Sequence, residues 1–222
     1  MEKQPPSMPA DDGALNALAE IGVTAGEPFD IQQLGVLDRF LLEKSIGLTI
    51  EKLQKAMRRN DKLENGWRVH RKIIGNYGDH YDIRGAVAMF GLGALPPEEA
   101  VYPNTNMDSD GKLLNGNARY KIHFAPGQIP PAAAFWSLSM YDKRGFFIDN
   151  PIRRYVIGDR DPLEYNQDGS LDLFIQHEAP QGKESNWLPS PADGFELTMR
   201  MYSPKAVFIR GDWTLPAIER LP

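Results

Sequence analysis

Cysteine is absent from the 222-residue chain. That excludes disulfides, a thiol nucleophile and thiolate metal ligands. Histidine is scarce: the 4 residues are His70, His80, His123 and His177, and none falls in an HxH or HExxH pattern. No metal site is therefore expected. Basic excess is lacking as well, with 25 Lys and Arg against 30 Asp and Glu for a net charge of −5. Without a basic patch of domain scale, a nucleic-acid backbone is not an expected partner. No apolar run reaches the ~20 residues of a membrane-crossing helix, so membrane insertion is not expected. The GxSxG elbow, the P-loop and GxGxxG are missing too, and no cofactor is expected. "NMDSDGK", from Asn106 to Lys112, departs from a calcium loop, because position 12 would be Asn117 rather than Glu.

What is present is ordinary for a soluble globular protein, with 41% apolar and 25% charged residues. Residues 1–12 are Pro-rich and polar and are expected to be a disordered tail. Residues 13–105 read as a mainly helical subdomain. A short helix is expected through Leu15, Leu18 and Ile21. A second runs from Phe29 through Ile31, Leu34, Leu37 and Leu41 to an interruption at Gly47, and a third carries Ile50, Leu53 and Met57. The pair predicts a hairpin or a bent helix. "DIRGAVAMF" predicts a further helix with Ile83, Val87 and Phe90 on one stripe. Gly85 costs it about 1 kcal/mol relative to Ala, which a close approach to a sheet would offset.

From residue 106 to 222 the period changes from helical to alternating. Phe195, Leu197, Met199 and Met201 face one side, with Glu196, Thr198, Arg200 and Tyr202 opposite. "RYKIHF", "FWSLSMY" and "LDLFIQ" repeat the alternation. Turns are expected at Asp142–Gly145, Asn166–Gly169 and Ala192–Gly194. The fold class is thus α+β: N-terminal helices packed on a C-terminal antiparallel β-sandwich, jelly-roll-like.

"FWSLSMYD" at 135–142, "DNPIRRY" at 149–155, "DGSLDLFIQ" at 168–176, "NWLPSP" at 186–191 and "FELTMRMYSP" at 195–204 together resemble the C-terminal module of the DUF1254/DUF1214 proteins. "DIRGAVAMFGLGALPPEEAVY" at 82–102 resembles the helical segment that enters it. The resemblance implies a module defined by fold, with no agreed activity. It also implies a missing N-terminal module, and hence a surface that another subunit would cover, so a homo-oligomer is expected. Family members are often exported. This chain has no signal peptide and reads as cytoplasmic as written, or as periplasmic or secreted if it is a mature form or fragment.

Two groups of candidate site residues emerge. Arg154, Asp168 and Arg200 form a candidate polar cluster, which is either a fold-stabilising network or a clamp for an anionic ligand. Asn186, Trp187 and Tyr202 form a candidate pocket rim, although Trp187 in "NWLPSP" equally suits a plug at the end of the sandwich. The functional reading is a ligand-binding or assembly module without strong intrinsic catalysis, taking a small-molecule or carbohydrate ligand. The alternative is a hydrolase-like enzyme using separated Asp and Arg residues on a carbohydrate or anionic substrate, with Asp149, Asp168, Asp172 and Glu178 as its acids.

Overall fold

The computed structural model describes residues 9–59 and 63–222, with residues 56–59 and 90 as backbone only. Met57 and Phe90, each placed on a helical stripe above, therefore lie outside the described side chains. So do residues 1–8, most of the expected tail. The chain divides into two compact units, one of residues 1–60 and 77–93 and the other of residues 61–76 and 94–222.

The helical unit holds α1 (Asp12–Glu20), α2 (Val36–Arg59) and α3 (Tyr81–Phe90). Residues 9–12 are ordered in it. Pro9–Asp11 make a 3-10 turn, and Asp11, 3% exposed, accepts a 2.8 Å hydrogen bond from the Tyr81 hydroxyl. The expected hairpin is one continuous helix, because the cost of Gly47 is small beside the hydrogen bonds of a 24-residue helix. It starts late: Ile31–Gln33 form a 3-10 turn capped by the Asp30 side chain. Gly85 does mark a close approach, but to a helix: a Cβ there would stand 3.2 Å from Cδ1 of Leu53 on α2.

The second unit begins with a two-residue hairpin, β1 (Leu63–Glu64) and β2 (Trp67–Arg68). Asn65 and Gly66 form its turn with φ 52° and 84°, the pair of positive angles that the Asn-Gly dipeptide supplies readily. Then follow β3 (Ala100–Val101), β4 (Asn104–Thr105), β5 (Tyr120–Phe124), β6 (Ala132–Asp142), β7 (Val156–Gly158), β8 (Leu171–Gln176), β9 (Trp187–Pro189), β10 (Phe195–Pro204), a short α4 (Ala206–Arg210) and β11 (Glu219–Arg220). Among the described residues they make two sheets. The larger has seven strands in the order β1-β2-β4-β10-β6-β7, with β3 also on β10; the smaller has the order β11-β5-β8-β9. Strands β1 to β4 pair toward β10, so residues 61–76 and 94–105 belong to the β unit rather than to the helical one expected to reach residue 105.

The alternation places the core as expected. Trp136, Leu138, Met140, Leu197, Met199 and Met201 of the large sheet face Tyr120, Ile122, Phe124, Leu171, Leu173 and Ile175 of the small one, all under 4% exposed. Ring contacts join the layers, Tyr120 to Phe195 and Phe124 to Trp136, each with centroids 6.0 Å apart. The result is a sandwich-like α+β architecture. Among the described residues its one departure from antiparallel pairing is β9, which runs parallel to β8.

A candidate functional site on the outer face of the large sheet

Strand β10 is the spine of the large sheet, with β6 along its whole length on one side and β3 and β4 on the other. Its core-facing residues are consumed by packing, so any chemistry lies on the alternate residues: Glu196, Thr198, Arg200 and Tyr202. Register places Tyr141 opposite Glu196, Ser139 opposite Thr198, Ser137 opposite Arg200 and Phe135 opposite Tyr202. On the other flank, Asn104 pairs with Thr198, and Arg68 with Asn104. Cross-strand partners share a face. The pairing therefore assembles a polar and aromatic surface on the side turned from the core.

Arg200, half-buried, is its centre. Its Nη1 donates to Ser139 Oγ at 2.6 Å and its Nη2 to the Tyr141 hydroxyl at 2.7 Å, with the guanidinium 5.5 Å from the Tyr141 ring centroid. Both partners are neutral. Among the described residues no carboxylate lies within ion-pair distance of Arg200.

Glu196, half-buried at the near end of the strand, is a carboxylate that makes no hydrogen bond or ion pair among the described residues. Burial pushes its carboxyl above the ordinary range, against the pull of the Arg68 charge. Arg68 itself donates to Asn104 Oδ1 and Asn106 Oδ1. Burial also pushes the Tyr102 hydroxyl up, against a hydrogen bond with the Leu95 backbone. At the far end the Tyr202 and Phe135 rings stack, centroids 4.3 Å apart, and Tyr141, Phe147 and Tyr155 form a second aromatic row.

The six residues singled out from the sequence divide between three places. Arg200 and Tyr202 share the outer face of β10. Arg154 lies elsewhere: its Nη1 donates to the carbonyls of Glu184, Ser185 and Trp187, tying the approach to β9. Asp168 closes the turn before β8, accepting from the Ser170 N–H at 3.0 Å and hydroxyl at 2.7 Å, which hold its carboxyl below the usual range. No hydrogen bond or ion pair joins Arg154, Asp168 and Arg200 among the described residues.

Asn186 and Trp187 make no rim. They are 2% and 5% exposed. Asn186 exchanges hydrogen bonds with the Glu164 backbone and donates to the Asp172 carbonyl, while Trp187 Nε1 donates to the Gln176 carbonyl at 2.8 Å. Pairing of β9 with β8 leaves these side chains inside, so the plug is the role the structure gives them. Of the acids named above, Asp172 pairs with His123 Nδ1 at 2.7 Å and Asn166 at 3.1 Å. Asp149 accepts from the Tyr155 hydroxyl at 3.3 Å. Among the described residues no group of three or more His, Asp or Glu side chains could hold a metal ion.

The sequence pointed to Arg200 and Tyr202 but not to Glu196 as a site acid, nor to Ser139 or Tyr141. Alternation puts Glu196 on the face of Arg200, which was a usable signal. The cross-strand partners depend on a register that one sequence does not display.

A family model described as "Protein of unknown function (DUF1214)" matches residues 99–206, from the turn before β3 to the start of α4. That segment is similar to the DUF1214 module. It contains β3 to β10, and with them most of the outer face just described. Its start leaves the helices and the hairpin β1–β2 outside the match. A similar solved structure is the VPA0106 protein of Vibrio parahaemolyticus, at 24% identity and TM-score 0.65, covering 96% of this chain and 51% of that one. The likeness shows a shared fold, and the chain spans about half the length of that protein. An uncharacterized protein from Burkholderia cenocepacia is 19% identical at TM-score 0.36, over 58% of this chain and 31% of that one. No curated protein matches the chain. Among the described residues no helix is long and apolar enough to cross a membrane.

Proposed function

We propose that the DUF1214 module is a ligand-binding module whose outer sheet face takes a small organic anion, with Arg200 as the anchor. One observation carries this reading: a half-buried guanidinium bonded, among the described residues, only to two hydroxyls. A charge withdrawn from water ordinarily has a counter-charge or a full set of acceptors. Ser139 and Tyr141 fix the plane of the guanidinium without neutralising it, and a ligand carboxylate is the group that would complete it. The Tyr202–Phe135 stack offers apolar contact beside the charge. A carbohydrate has less to recommend it, because Trp187, the aromatic proposed for sugar stacking, is buried.

Calorimetric titration with 4-biphenylcarboxylate tests the assignment. Wild type binds the acid, Arg200→Met does not, and the variant keeps a melting temperature close to that of wild type. Binding untouched by Arg200→Met overturns it.

Glu196 favours a second reading, the hydrolase-like one, because a half-buried carboxyl whose proton affinity is raised by burial is of the kind that serves general acid–base work. In that case activity against aromatic or sugar esters disappears in Glu196→Gln while binding of the anion persists. Self-assembly is part of the proposal as well. Leu37, Leu41 and Leu48 of α2 are 67%, 54% and 67% exposed at helical spacing, a stripe of the kind that pairs with a second copy. Light scattering that gives a monomer at every concentration removes this part.

A further inference from the structure

Arg160 lies just beyond β7, at the far end of the same face. Its guanidinium stands 4.3 Å from the centroid of the Phe135 ring. Phe135 is on β6, between β7 on one side and β10 on the other, and the Tyr202 ring of β10 stacks on it at 4.3 Å. The order across three neighbouring strands is therefore guanidinium, ring, ring. The ring contact holds the exposed Arg160 guanidinium over Phe135 without using its N–H donors. Among the described residues Arg160 has no hydrogen bond and no ion pair. Asp159 and Asp161 flank it in sequence, but Asp161 spends its Oδ2 on the Gly158 N–H at 2.7 Å, and Asp159 is exposed and bonded to neither arginine.

The face thus has two arginines without a carboxylate partner, not one. Arg200 leans toward Ser139 and Tyr141, away from Tyr202. Arg160 sits level with Tyr202 and Phe135, four residues further along the ladder from Ser139. At about 3.4 Å per residue along a strand and about 4.8 Å between strands, the two guanidiniums are roughly 14–17 Å apart. Between them on β6 lies Ser137, and the Phe135 and Tyr202 rings stand side by side at the Arg160 end. Two like charges held at that spacing, with a pair of rings beside one of them, complement a rod-shaped molecule with an anionic group at each end.

We infer that the ligand of this face is an organic dianion, a dicarboxylate with an apolar spacer, held by Arg200 at one end and Arg160 at the other. The inference rests on the reading of Arg200 as an anion anchor and adds the length and the second charge of the ligand.

The test compares 4-biphenylcarboxylate with 4,4′-biphenyldicarboxylate by calorimetric titration of the full chain at low salt. Wild type is expected to bind the diacid at least about tenfold more tightly than the monoacid, the factor that one additional charge-assisted contact of ~1.4 kcal/mol confers. Arg160→Met should bring the diacid to the affinity of the monoacid and leave the monoacid unchanged. Arg200→Met should abolish binding of the monoacid and weaken that of the diacid. Because Arg160 also packs on Phe135, Arg160→Lys serves as control: it retains the charge but not the planar fork, and should recover part of the diacid preference. Equal affinity for the two acids in wild type, or a diacid preference that survives Arg160→Met, overturns the inference and leaves Arg200 as the anchor of a monoanion. Failure of either acid to bind, or binding indifferent to Arg200→Met, overturns the anchor itself and the dianion with it.

Discussion

Arg154 and Arg200 belong to one module and are both half-buried, yet their surroundings are opposite. Arg154 spends one nitrogen on three backbone carbonyls at the entrance to β9, in a region where Asn186 and Trp187 are already satisfied and buried. Arg200 stands on the outer face of β10 with two hydroxyls and, among the described residues, no counter-charge. The lesson concerns satisfaction, since residue type and burial are the same. A guanidinium that closes a loop is part of the fold. One that is left electrically incomplete on a shared face is available to something outside the chain.

The comparison can be broken most forcefully at the closed end. Trp187→Ala removes a buried indole and its bond to the Gln176 carbonyl, and is expected to cost about 3–5 kcal/mol, read as a large fall in the thermal midpoint. Arg154→Met follows, at on the order of 1–3 kcal/mol, because it leaves the carbonyls of Glu184, Ser185 and Trp187 without their shared donor. Arg200→Met comes next, and should change anion binding while altering denaturant stability by less than Arg154→Met. If the two arginine variants destabilise equally, the contrast drawn above is wrong.

The smaller effects sharpen the picture through pH. Burial pushes the Asp172 carboxyl up, but hydrogen bonds from His123 and Asn166, with the charges of Lys121 and His123, outweigh it and bring the group below its ordinary range. Asp172 therefore contributes stability above the unfolded carboxylate pKa of about 3.9, which is lost as pH falls through the lower folded value. Asp172→Asn should narrow the stability gap between pH 7 and pH 3. Glu196 behaves in the reverse sense. Its folded carboxyl is raised, so its contribution is complete below about pH 4.3 and is lost as pH rises through the folded value. Glu196→Gln should thus raise the thermal midpoint slightly at pH 7 and leave it unchanged at pH 4. A midpoint that falls at pH 7 would mean that Glu196 has a partner there.

How much of this was legible beforehand depended on whether the signal was local. The inward residues of β5, β6, β8 and β10 could be read from period-two alternation, and the turns at Asp142–Gly145 and Asn166–Gly169 from their composition. Asn65-Gly66 is an equally local hairpin signal, which the strong helical pattern before it hides. Gly47 suggests an interruption that does not occur, because one unfavourable residue does not stop a helix whose other residues favour it. Non-local facts were out of reach. That β9 lies parallel to β8 and buries Trp187, or that Ser139 and Tyr141 meet Arg200, follows from pairings between segments 11 to 61 residues apart. The proposed cluster of Arg154, Asp168 and Arg200 assumed that chemically matched residues in neighbouring motifs meet. The fold instead puts them in three places: the approach to β9, the turn before β8 and the outer face of β10.

The Arg154 contact also bears on how copies of the module meet. Strand β9 is the outermost of its sheet, and such a border is where a foreign strand would ordinarily dock and prolong the ladder. Here Pro189 offers no N–H, and the outward carbonyl of Trp187 is already taken by the guanidinium. The border is chemically shut. Copies of this module can therefore gather through side-chain surfaces, but they cannot line up end to end by continuing this sheet from β9.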